Sequence, residues 1–218
     1  MSTLFSYTSL AEEPKSLILF RDIPWTSNMP SVFSALEGIS FSTPRQDYAG
    51  DVAYNLLEGG SIKFDDYVTA EVYATKLNGL KVAGYELSGL SLSFAYTADE
   101  SGLLSKDEEH TAFVYAKYEI KPKDIDFVMS DLFNKLTKTY GDAAGHRTTG
   151  SIIAYEIYYW IGDDDTIVSL VGGKYSSGSD EVTIRYSFYG ADDLYQQAMD
   201  ALAYEELLNA DENDTSGL

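Results

Sequence analysis

Leu90, Leu92, Phe94 and Tyr96 are separated by Ser91, Ser93, Ala95 and Thr97. A two-residue period of this kind becomes, in a pleated strand, one core face and one wet face. Thr111–Ile120, Ser151–Ile161, Thr166–Val171 and Glu181–Tyr189 carry the same rhythm. Between them the period changes. Ile125, Val128, Met129, Leu132, Phe133, Leu136 and Tyr140 recur at spacings of three and four, which predicts a helix over 124–140, capped by Asp124 and closed by Gly141. Leu194, Tyr195, Ala198, Met199 and Leu202 predict a final helix over 191–208, with Asp192 and Asp193 suited to its positive end.

The first half reads less cleanly. Pro24 holds Ile23 extended, Thr26 or Ser27 can cap a short helix over 27–37, and Gly38 supplies its stop. Val52–Leu57 reads as a helical turn and Tyr67–Leu77 as a strand. Asn78-Gly79 predicts a hairpin with Leu80–Tyr85 as return strand, because both turn residues tolerate positive φ. Ala98–Glu109 and Asp142–Gly150 read as loops. The expected fold is α+β, an antiparallel sheet packed by helices, arranged as two tandem helix-plus-sheet units over 15–120 and 121–209. Residues 1–14 read as a signal-peptide remnant, since Ser9-Leu10-Ala11 precedes Glu12-Glu13-Pro14, and 210–218 as a flexible acidic tail.

Charge narrows the function classes. Fifteen Lys and Arg against thirty-five Asp and Glu leave a net charge of −20. Phosphate backbones and anionic lipid are bound by cations, so nucleic acid is not an expected partner. No apolar run reaches the roughly 18 residues that a membrane-spanning helix needs. The absence of cysteine removes disulfides, thiolate nucleophiles and cysteine-based zinc sites. No Gly-x-Gly-x-x-Gly run joins a strand to a helix, so no nucleotide cofactor is expected.

Phe20-Arg21-Asp22-Ile23-Pro24-Trp25, then a hydroxyl cap, Val32, Leu36 and Gly38, resembles a group of uncharacterised bacterial secreted or envelope proteins with a Phe-x-x-Ile-Pro-Trp segment before a short helix. Tyr140-Gly141 and the aromatic strand through Trp160 fit the same pattern, while Thr26 stands where a glycine is usual. The tandem arrangement is similar to that of the β-lactamase inhibitor protein family. The resemblance implies a secreted or envelope location, with the cytoplasm as the alternative, and brings no catalytic residue, ligand or cofactor with it.

His110 and His146 lie in expected loops without partners at metal-ligand spacing, and read as solvated side chains. Asp163-Asp164-Asp165 reads as a hairpin tip, because it lacks the alternate-position spacing of a calcium loop. No metal site is expected. The strongest candidate is aromatic. Strand 151–161 carries Tyr155, Ile157 and Tyr159 on one face and Glu156, Tyr158 and Trp160 on the other. One face packs on helices, and the other is either a second core layer or a recognition surface. Tyr158, Trp160 and Tyr189 are the candidate binding residues, with Glu156 and Arg185 as polar contacts. The expected function is a non-enzymatic module that binds a protein or a surface ligand. The alternative is a carboxylate-dependent hydrolase acting on glycans.

Overall fold

A computed structural model describes residues 23–44, 53–55, 60–62, 68–77, 79–149, 154–162, 166–175 and 178–215. The segment read as a signal remnant and the Asp163-Asp164-Asp165 tip lie outside them. The first helix is α1 (Met29–Ala35), followed by the short strands β1 (Ala53–Asn55) and β2 (Gly60–Ile62), which pair with each other. Then come β3 (Thr69–Tyr73), the two-residue strands β4 (Lys81–Val82) and β5 (Tyr85–Glu86), β6 (Gly89–Tyr96) and β7 (Thr111–Ile120). The second half holds α2 (Ile125–Tyr140), β8 (Gly145–Thr149), β9 (Ala154–Ile161), β10 (Thr166–Lys174), β11 (Glu181–Phe188) and α3 (Ala191–Thr215).

The fold is α+β. One seven-stranded antiparallel sheet has the order β3-β6-β7-β11-β10-β9-β8. Its centre is the β7–β11 pair, so the last strands of 15–120 and 121–209 meet and the two stretches share one sheet. Register fixes the faces. Trp160 faces Val168, Val168 faces Tyr186, and Tyr186 faces Ala116 across four strands, and all four are buried. Over this face lies α2, whose Val128, Met129, Leu132 and Leu136 are buried. Elsewhere α3 lies against β6, where Ser91, Ser93 and Ala95 are buried, as are Ala191, Tyr195, Ala198 and Ala201 of the helix.

Several expectations change. Asn78 lies outside the described residues, but Leu80 N–H closes a turn onto Leu77 O at 2.9 Å. That turn does not join the expected pair of strands: β3 pairs with β6, whose Leu90, Leu92 and Phe94 offer a larger core face than 80–85. A second tight turn lies at Ala83-Gly84, between β4 and β5, where both residues have positive φ (50° and 93°). Residues 53–55 are strand, not a helical turn. The expected loop 142–150 contains β8, a polar edge strand whose sequence Gly-His-Arg-Thr-Thr lacks any apolar alternation. The cap of α1 is Asn28, accepting from the Ser31 amide at 3.1 Å. Helix α3 continues through 210 to Thr215, where a tail was expected.

The turn Pro24–Ser27 docks on the sheet where β11 ends. β11 pairs with β7 only from Tyr115 onward. At Phe113 the place is taken by the turn, with Thr26 N–H donating to Phe113 O (3.0 Å) and Phe113 N–H to Ser27 O (2.9 Å). Ser27 N–H closes the turn onto Pro24 O at 3.3 Å, and Thr26 has φ 66°. A single positive φ at the third position marks a type II turn, which favours glycine there. Thr26 is exposed and β-branched, so it bears this strain for no packing return. Thr26→Gly should therefore raise stability by about 0.5–1 kcal/mol, the relief of strain exceeding the entropy that glycine adds to the unfolded chain. Urea midpoints of the two proteins check this, and an unchanged or lower midpoint contradicts it.

Candidate functional site

The five residues expected to bind do not share a surface. Trp160 is 1% exposed, donates from Nε1 to Gly141 O at 3.1 Å, and meets Phe133 of α2 at 5.7 Å between ring centroids. It is core, which corrects its reading as a surface ring. Its neighbour Tyr158, two residues back on the same face, is half-buried against Phe133. Arg185 pairs in register with Ser169, which pairs with Tyr159, so it sits on the opposite face of the sheet. Tyr189 follows β11 and is 58% exposed.

Tyr158 and Glu156 do come together, and the structure adds His146 from β8. Register places His146 opposite Tyr158, and the rings stack at 4.4 Å with 15° between planes. Tyr158 Oη donates to Glu156 Oε1 at 2.6 Å, and His146 Nε2 lies 3.3 Å from the same oxygen. The bond to Glu156, then burial, pushes the Tyr158 phenol up to about 12, so it remains a donor at physiological pH. Beside this cluster is a cleft of about 210 Å³. Asp126 and Lys174 form one wall, joined at 2.6 Å, and Thr148 and Glu156 line it too. Met129 lies over Gly172, where a Cβ would come within 2.8 Å of its sulfur, so the glycine lets helix and strand close up here. Pockets for drug-sized ligands run from about 300 to 1,000 Å³. This cleft holds less.

The Arg185 face is an ion-pair row. Lys117 and Glu119 meet at 2.6 Å, Arg185 lies beside Lys117, and Arg185 Nε donates to Thr183 Oγ1 at 3.3 Å. Burial alone would depress the Lys117 ammonium, but Glu119 holds its pKa above the ordinary value. Burial, then the charge of Glu119, raises the Glu181 carboxyl. A raised acid favours the fold while protonated, and that contribution fades as pH rises through the folded value. Glu181→Gln should therefore stabilise the protein near about pH 7 and make no difference near about pH 3. Urea melts at both pH values check the sign, and a loss of stability at neutral pH contradicts it.

The third feature was not anticipated. Within 191–210 the last buried position of α3 is Ala201, and Glu206, Leu207, Leu208, Asn209 and Ala210 are exposed. Tyr204, Leu207 and Leu208 are 49%, 67% and 41% exposed. Their spacing of three and four puts them on one side of the helix. Leu207 is turned away from the buried stripe of Ala191, Tyr195, Ala198 and Ala201, whereas Leu208 lies two turns beyond Ala201 on the same line, past the last buried position. The sequence held the signal, since an apolar stripe of 194–202 cannot also point Leu207 inward at 100° per residue. Comparison with family models, curated proteins and solved structures returned no match.

Proposed function

We propose that this chain is a non-enzymatic protein-interaction module of the cell envelope or extracellular space, docking through the outward strip of α3. The observation that carries this reading is the contiguous exposure of Tyr204, Leu207 and Leu208 on a chain of net charge −20. Contiguous apolar side chains on an otherwise charged surface mark a docking site more often than single exposed ones do. An amphipathic helix offering residues at i, i+3 and i+4 suits a groove on another protein. The location rests on the export-like opening residues and on the Phe-x-x-Ile-Pro-Trp resemblance.

Site-specific photo-crosslinking in the producing cell tests the function. A crosslinking residue at 207 should trap a discrete protein adduct, and one at 161, also an exposed apolar position, should not. Equal trapping at both positions, or none at either, would remove the proposal. The hydrolase reading has one observation in its favour, that Asp126 and Glu156 line one cleft. It is the weaker reading, because Asp126 is engaged by Lys174 and Glu156 by Tyr158 and His146, in a space of about 210 Å³.

A further inference from the structure

The chemistry of α3 narrows what the strip accepts. Residues 191–215 contain eight acids (Asp192, Asp193, Asp200, Glu205, Glu206, Asp211, Glu212, Asp214) and no Lys or Arg. Asp200 lies one turn before Tyr204, so the helical spacing sets a carboxylate beside the apolar strip on its own side. The acids also crowd the wrong end. The last helical turns bear Asp211, Glu212 and Asp214, where the helix dipole is negative and cations are preferred. A local rule broken in this way, without any compensating base on the helix, points outward to a positive partner.

We infer that the last turns of α3 are a recognition helix for a cationic partner protein, one with an apolar groove rimmed by Lys or Arg. This rests on the reading of the chain as an interaction module and names the partner's chemistry. A second copy is the competing occupant, and it is disfavoured because it would oppose two helices of like charge within a Debye length of each other. The partner's cations would sit against Asp200 while its groove takes Leu207 and Leu208.

The test uses the full chain and a leucine–lysine amphipathic helical peptide as probe, with a leucine–glutamate peptide of the same pattern as control. Titration should show binding to the lysine peptide alone. It should weaken at least about tenfold between low and about 0.3 M salt, as exposed charge pairs do. The double variant Leu207→Ser/Leu208→Ser should lose at least about tenfold in affinity, since apolar anchors carry most of such an interface. Both positions are exposed, so the variant should keep its circular dichroism and urea midpoint. Unchanged affinity in that variant would overturn the inference. So would a concentration-dependent dimer, seen by analytical ultracentrifugation and lost in the variant; that result would leave the interaction-module reading standing with a different occupant. Absence of peptide binding, self-association and adducts at 207 would overturn both.

Discussion

Trp160→Ala should lower stability by about 3–5 kcal/mol, the usual cost of removing a large aromatic from a packed core. The ring is sealed at 1% exposure, its centroid lies 5.7 Å from that of Phe133, and Val168 is its register partner. Truncation would open a cavity beneath α2 and leave Gly141 O, the carbonyl at the end of that helix, without the indole donor that now reaches it at 3.1 Å. A domain of this size is stable by only about 5–15 kcal/mol, so the loss is a large share of the total. Chemical denaturation at unchanged slope measures it. A platform residue would behave otherwise, with stability changed by less than about 0.5 kcal/mol. The stability of this one variant therefore separates core from surface on the face that Glu156 and Tyr158 share.

That face shows where sequence reasoning reaches its limit. The alternation of 151–161 assigns Glu156, Tyr158 and Trp160 to one side, and the register agrees with that parity. What alternation cannot say is which side a helix covers, because Ile157 with Tyr159 is as apolar a pair as Tyr158 with Trp160. The choice is made by α2, and by Gly172, which lets Met129 close on β10. The helices were legible because their caps and spacings are local: Asp124 accepts from the Phe127 amide and Gly141 has φ 84°. β8 was not. An edge strand needs only backbone pairing on one side, so His146, Arg147 and Thr148 show no pattern until β9 is there to receive them. The cluster of His146, Tyr158 and Glu156 was hidden for the same reason, since it exists only in the β8–β9 register. The strip on α3 was legible in principle, since the period of 3.6 separates Leu207 from the inward stripe.

Trp25→Ala should cost about 2–4 kcal/mol, somewhat below a fully buried tryptophan because the ring is half-buried. Its position explains the cost. The indole stacks on Phe113 of β7 at 4.9 Å and on Phe188 of β11 at 5.8 Å, and its Nε1 donates to Thr166 Oγ1 of β10 at 2.8 Å. One side chain thus ties a strand of the first half to two strands of the second, at the point where β11 has stopped pairing with β7. Trp25→Phe keeps the aromatic contact and gives up the hydrogen bond, so it should lose about 1 kcal/mol. The order wild type, Trp25→Phe, Trp25→Ala in urea midpoint is the expected result, with Trp25→Ala also speeding hydrogen exchange at the amides of Thr26 and Phe113 that hold the turn to the sheet. If Trp25→Ala matched Trp25→Phe, the stacking would contribute nothing and the Ile-Pro-Trp turn would be held by its backbone alone.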